Sequence, residues 1–143
     1  MITREANAHW NGTLKEGDGR LRSKTLDLPY TFASRFGDGE EVSPEELIGN
    51  AHAGCYSMAL ALELGKAGYP PTSVQTTARV YFDAEALAIP KIELRTEAAV
   101  EGIDADAFRK IAEAAKDGCP VSKLLAGAEI ELVEAQLVTS EVA

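Results

Sequence analysis

The sequence predicts an α+β fold, with mostly antiparallel sheets around one central, buried helix. Three observations predict it. Short stretches of strand character fill the first third of the chain, a long apolar run with helical spacing begins at Ser43, and strands then return on either side of a second, amphipathic helix. The 143 residues contain no internal repeat, low-complexity tract or linker, so a single domain over 1–143 is expected, its core lying at about 7–137.

The elements follow in order. Residues 7–14, around Trp10, read as a first strand, and Glu16-Gly17-Asp18-Gly19 as a turn. Residues 21–26 alternate as a second strand, residues 30–36 form a third, and Gly37-Asp38-Gly39-Glu40 is the closing loop. Ser43 then starts a helix: it is a good N-cap, Pro44 suits the first helical position, and Glu46 completes a capping box. The stripe Leu47, Ala51, Cys55, Met58, Leu62 recurs at helical spacing. Positions between it are also small or apolar, so this helix is expected to be buried on most sides until it stops near Gly68-Tyr69-Pro70-Pro71.

Two strands come next, 74–82 and 92–100; in the second, Ile92, Leu94, Thr96, Ala98 and Val100 alternate with mostly charged neighbours. Asp104 caps a helix whose buried stripe is Phe108, Ile111, Ala112 and Ala115 and which ends at Gly118. A short helix at 120–126 and a strand at 130–137 complete the fold, with a tail to Ala143 that is expected to fray.

The net charge of −9 excludes nucleic acid and anionic membrane surfaces as partners, since both would repel the chain. Met1-Ile2-Thr3-Arg4-Glu5-Ala6-Asn7 lacks the apolar stretch of a secretory signal, and the apolar run around Leu60 is interrupted by Glu63 and Lys66, so no membrane span is expected. A cytoplasmic protein is the default.

Chemistry concentrates at the two cysteines, Cys55 and Cys119. A thiol pair can be a structural staple, a metal clip or a redox couple. In a reducing compartment a lasting staple is disfavoured. A structural zinc site wants four ligands, and only His52, one helical turn before Cys55, and the distant His9 could join the two thiols. His52 reads instead as a packed histidine bonded to a backbone or carboxylate group.

Each thiol also has a plain reading as a small buried hydrophobe. Gly54 and Ala51 leave room around Cys55, but it lies about three turns into its helix, beyond the N-terminal dipole, so a cation must come from elsewhere to make it a thiolate. Cys119 sits at an N-cap ahead of Pro120, where backbone N–H groups point at its sulfur, and local physics makes it the more acidic thiol.

Both cysteine segments resemble a known family. Pro44-Glu45-Glu46-Leu47-Ile48-Gly49, leading to Ala51-His52-Ala53-Gly54-Cys55, resembles the first cysteine motif of the OsmC/Ohr family, the osmotically inducible and organic hydroperoxide resistance proteins. Gly118-Cys119-Pro120-Val121-Ser122 resembles the second. Pro71-Thr72-Ser73-Val74 and Ile103-Asp104-Ala105 resemble the OsmC branch, and the likeness runs over about 7–137.

The resemblance implies an α+β fold whose strands interweave in a homodimer. It also implies a thiol-dependent peroxidase, acting in oxidative or osmotic stress and preferring organic hydroperoxides to hydrogen peroxide. In those terms Cys55 is the peroxidatic and Cys119 the resolving cysteine, Arg35 is the activating arginine and Glu45 the carboxylate that orients it. The Ohr branch takes its arginine from an earlier segment, where this chain has Arg4, Arg20 and Arg22. No cofactor is implied; an external dithiol, a lipoyl-bearing protein or another thiol system, reduces the disulfide. The alternative is a non-catalytic redox sensor or binding module.

Glu45 and Cys55 on one straight helix would stand about 15 Å apart at 1.5 Å per residue. Either the helix breaks, with Gly49-Asn50 the weakest place, or a partner chain supplies the arginine and carboxylate.

Overall fold

Alternation becomes pairing in the first part of the chain. In the computed structural model, which describes residues 1–139, β1 (Ala6–Asn11), β2 (Asp18–Ser23) and β3 (Asp27–Thr31) form an antiparallel sheet in the order β1-β2-β3. Gly19 on β2 stands opposite both Trp10 and Tyr30. Their rings meet edge-on at 5.2 Å. A Cβ at Gly19 would lie 2.5 Å from the Tyr30 ring and 2.7 Å from Trp10, so a side chain there would force the pair apart.

The expected third strand, 30–36, forms earlier, at Asp27–Thr31, and only its first two residues stay in it. The chain leaves β3 at Thr31 and turns into a short helix, α1 (Phe32–Phe36). The reason is local: the Thr31 hydroxyl accepts from the Ser34 N–H at 3.1 Å, and the Ser34 hydroxyl accepts from the Thr31 N–H at 3.0 Å, a reciprocal capping box. Alternating Tyr30, Phe32 and Phe36 looked like strand, but two side-chain bonds to the backbone outweigh that pattern. The frayed tail expected near Ala143 lies outside the described residues.

The chain divides into two compact units, one covering Met1–Leu47 and a second beginning at Ile48. The boundary falls inside α2 (Pro44–Lys66), started as expected by the Ser43 hydroxyl accepting from the Glu46 N–H at 3.1 Å. The second unit continues with β4 (Ser73–Asp83), β5 (Ala88–Ala99), α3 (Ala105–Gly118), α4 (Pro120–Leu124) and β6 (Glu129–Val138). Its sheet has the order β4-β5-β6; β4 and β5 are antiparallel, whereas β5 and β6 are parallel. That parallel pair needs a crossover, and α3 with α4 supplies it. The α+β class thus holds, with antiparallel pairing in three of four strand contacts.

The core of this unit joins Tyr56, Leu60 and Leu64 of α2 to Ile92, Leu94 and Ala98 of β5, Phe108, Ala112 and Ala115 of α3, and Leu132 of β6. Phe108, Ala112 and Ala115 are the buried part of the expected α3 stripe, while Ile111 is half-buried. Burying each large side chain stabilises the unit by about 1.5–3 kcal/mol. The polar groups inside are matched. Tyr56 donates to the Ala112 carbonyl at 2.9 Å, and Ser57 donates to Thr76, which lies 3.1 Å from Thr96.

On α2 the expected face is wrong by a rotation. The buried stripe is Gly49, His52, Tyr56, Leu60 and Leu64, whereas Ala51, Met58 and Leu62 are exposed, Met58 by 77% and Leu62 by 57%. A helix apolar nearly all round carries no periodic signal to choose its inner face; size complementarity to the β4-β5-β6 sheet chooses it.

Candidate thiol site

The four residues singled out in the sequence fall into two pairs, one in each unit. In the first unit α1 carries Arg35 in its last turn, and the head of α2 carries Glu45. The guanidinium Nε and Nη2 lie 2.9 and 2.8 Å from Oε1 of Glu45, so two donors converge on one carboxylate oxygen. Glu45 is nearly buried; the Arg35 side chain keeps 41% of its surface exposed. Its guanidinium also stands 5.8 Å from the centre of the Phe36 ring.

The other arginines of this unit are held elsewhere. Arg20 and Arg22 both turn to Asp27, at 2.8 and 3.3 Å, and Arg4 donates to the Thr3 carbonyl. Arg35 also borders an apolar cavity of about 310 Å³ lined by Trp10, Leu14, Tyr30, Phe32 and Phe36.

In the second unit the two cysteines meet. Cys55 comes from the middle of α2, and Cys119 is the single residue that ends α3 and begins α4. Their sulfurs lie 3.0 Å apart across 64 residues of chain. Cys119 is fully buried and Cys55 half-buried. The sulfurs are close enough to share one proton.

The surroundings decide which keeps it. Burial pushes the Cys55 thiol up, and so does its contact with Cys119. Burial also works against ionising Cys119, but the neighbouring Cys55 thiol and the polar groups of the turn that follows, those of Ser122 and Val121, outweigh it and hold Cys119 below the usual thiol range. The sequence reading of Cys119 as the more acidic thiol agrees.

Two further residues complete this centre. His52, fully buried on α2, places Nε2 2.7 Å from the Ser122 hydroxyl oxygen, so its partner is a side-chain hydroxyl rather than the expected backbone or carboxylate group. Ser122 lies in the first turn of α4, three residues after Cys119. Sequence reasoning weighed His52 only as a ligand or packing group and gave Ser122 no role. The signal was present: His52 is one helical turn before Cys55, and Ser122 is one turn after Cys119. Among the described residues no cluster of three or more His, Cys, Asp or Glu could hold a metal ion, and no helix is long and apolar enough to cross a membrane.

Residues 37–133 match the family model of OsmC-like proteins. The chain is 49% identical over 136 residues to the peroxiredoxin OsmC of Escherichia coli, covering 92% of this chain and 94% of that one. The chain belongs to the OsmC-like family. Within it the OsmC branch is the one it joins, and the peroxiredoxin OsmC of Shigella flexneri is equally similar, at 49%.

Solved structures of the OsmC fold extend the likeness to distant sequences. An OsmC-like protein from Mycoplasma pneumoniae superposes with a TM-score of 0.74 at 10% identity, over 96% of this chain and 99% of that one. The organic hydroperoxide resistance protein OhrB of Bacillus subtilis gives 0.62 at 18% identity, over 94% and 98%. At such identities the agreement is one of fold.

Proposed function

We propose that this protein is a thiol-dependent peroxidase that reduces organic hydroperoxides to alcohols, using Cys55 and Cys119 as a redox couple. The observation that carries this reading is the 3.0 Å approach of the two sulfurs in a chain 49% identical to a peroxiredoxin of the OsmC-like family.

The Cys55 thiolate attacks the terminal peroxide oxygen; the O–O bond breaks, the alkoxide leaves and takes a proton to become the alcohol, and Cys55 is left as sulfenic acid. Cys119 thiolate then attacks the Cys55 sulfur, forming the disulfide and releasing hydroxide, which is protonated to water. An external dithiol, a lipoyl-bearing protein or another thiol system, returns the couple to its reduced form.

Arg35 is the cation assigned to Cys55. Its guanidinium favours the attacking thiolate and stabilises charge that grows on the leaving alkoxide. Glu45, nearly buried, holds the guanidinium in place through Oε1. The apolar cavity beside Arg35 supports a preference for alkyl over hydrogen peroxide, because an alkyl group gains from leaving water and hydrogen peroxide has none.

The need for such a cation is clear from the second unit, where Cys55 is the sulfur that keeps its proton. We assign the arginine to the partner chain of a homodimer. Two observations support this. Helix α2 runs unbroken through Gly49-Asn50, the place where a break was expected if one chain were to supply the whole site. The same helix also exposes an apolar face, Ala51, Gly54, Met58 and Leu62, suited to a second copy of itself. The same proposal has the protein act in the cytoplasm, in defence against oxidative or osmotic stress.

The test is consumption of tert-butyl hydroperoxide against hydrogen peroxide, with a dithiol in excess, by wild type, Cys55→Ser and Cys119→Ser. Repeated turnover by wild type with preference for the alkyl peroxide, and loss of turnover in Cys55→Ser, are expected. A single stoichiometric oxidation of wild type would mark a sensor instead, and turnover by Cys55→Ser would overturn the mechanism.

A further inference from the structure

A disulfide between Cys55 and Cys119 has to be opened again in every cycle, and its two sulfurs are not equally open to attack. Cys119 has no exposed surface and belongs to the core, together with Tyr56, Phe108, Ala112 and Ala115. Cys55 is half-buried and only packs against that core.

The backbone holds Cys119 in this place. Its N–H donates to the Ala115 carbonyl at 3.0 Å, closing the last turn of α3, and its carbonyl accepts from the Lys123 N–H at 3.1 Å, opening α4. Pro120 follows and keeps Cys119 in the extended region, at φ −68° and ψ 122°. Turning the Cys119 sulfur outwards by moving its backbone would break both helix ends. Closing the disulfide asks for no such movement, because from 3.0 Å the sulfurs need to approach by only about 1 Å.

Cys55 has a different setting. It lies in the middle of α2, directly after exposed Gly54, with exposed Ala51 one turn before it and exposed Met58 one turn after. Oxidation of Cys55 already requires a route by which an alkyl hydroperoxide reaches this sulfur. The same route serves a thiol.

We propose that the external dithiol opens the disulfide at the Cys55 sulfur, making a mixed disulfide with Cys55 and expelling Cys119 as thiolate. The inference rests on the peroxidase reading above for the way the disulfide arises. One thiolate of the reductant gives its electron pair to a new S–S bond with Cys55, and the Cys55–Cys119 bond breaks with its pair going to Cys119. The second thiolate of the reductant then attacks the reductant sulfur of the mixed disulfide, and Cys55 leaves as thiolate. The dithiol ends as a disulfide, the couple ends reduced, and the two protons given up by the dithiol return to the cysteines through solvent.

The acidities of the two thiols agree with this direction. The more acidic thiol leaves faster, and Cys119 is held below the usual thiol range while burial pushes Cys55 up. Attack at Cys119 would reach the shielded sulfur and expel the poorer leaving group.

Two measurements test the proposal. In the first, the disulfide is made in wild type with diamide, which calls on no peroxidase activity. The oxidised chain is mixed with a large excess of mercaptoethanol, quenched in acid after short intervals, unfolded and alkylated with N-ethylmaleimide. Peptide mass mapping then shows which cysteine carries the mercaptoethanol. The adduct is expected on Cys55, with Cys119 alkylated, about ten times as often as the reverse. Equal amounts, or an excess on Cys119, would overturn the proposal.

The second measurement needs no trapped intermediate. Folded Cys119→Ser chains, which keep Cys55, should react with dithiobisnitrobenzoate about tenfold faster than folded Cys55→Ser chains, which keep Cys119, and the difference should vanish in urea. The lower pKa of Cys119 works against this outcome, so the comparison is a strict one. Equal rates in the folded chains would show Cys119 open to thiol exchange and overturn the proposal as well. If tert-butyl hydroperoxide forms no disulfide in wild type, while the disulfide made with diamide opens at Cys55, the peroxidase reading falls and the site of thiol attack stands.

Discussion

At the scale of single residues, the site is a contest over one proton between two sulfurs. The groups of Ser122 favour the ionised form of Cys119, whereas burial and the thiol neighbour work against ionising Cys55, and the Val121 N–H favours both. In the proposed roles, the resolver is then the readier thiol and the attacker depends on an added cation. His52 gives this scale a measurable consequence for stability. In the unfolded chain it takes up a proton near 6.5, whereas burial holds the folded residue neutral to lower pH. Below about pH 6.5 the unfolded state thus binds more protons, and stability falls as the pH drops towards the folded-state pKa. The melting temperature of wild type should fall more steeply from pH 7 to pH 5 than that of His52→Gln. Equal slopes in the two proteins would remove His52 from the account.

At the scale of elements, α2 is used on two faces. Leu60, on the inner face, is fully buried between the sheet and α3, while Met58, two residues earlier, is 77% exposed. Leu60→Ala should cost about 2–5 kcal/mol in urea unfolding through lost transfer energy and a cavity. Met58→Ala, with almost nothing to lose within one chain, should stay within about 0.5 kcal/mol when unfolding is extrapolated to dilute protein. A large loss for Met58→Ala in dilute solution would mean that its face is covered within the chain. The short α1 shows how weakly sequence pattern binds a few residues: tyrosine and phenylalanine alternate there as in a strand, but the Thr31–Ser34 box turns the backbone and places Arg35 at a helix end.

At the scale of the whole molecule, the boundary between units falls inside α2, where composition shows no break, which is why no linker could be read there. The proposed homodimer is tested by charging the exposed face of α2. Met58→Lys combined with Leu62→Lys should shift the sedimentation coefficient towards a monomer and lower peroxidase turnover with it, since the arginine is assigned to the partner. Mixing Cys55→Ser chains with Arg35→Ala chains should recover activity above either parent in dimers that retain one intact site. Absence of any recovery would count against a site completed across two chains.

The sequence by itself marked the thiol pair as the candidate centre and determined the order of strands and helices apart from α1, with the helix starts at Ser43 and Asp104, because these depend on residue type and on bonds within a few positions. It also carried the family likeness, through two short cysteine motifs that the matched region of 37–133 contains. Only the tertiary structure decided the inner face of α2, the parallel pairing of β6 with β5, the convergence of Arg35 on one oxygen of Glu45, and the hydrogen bond that joins His52 to Ser122. Each of these joins groups separated in sequence, or chooses between faces of nearly equal hydrophobicity, and packing complementarity in three dimensions is what breaks such a tie.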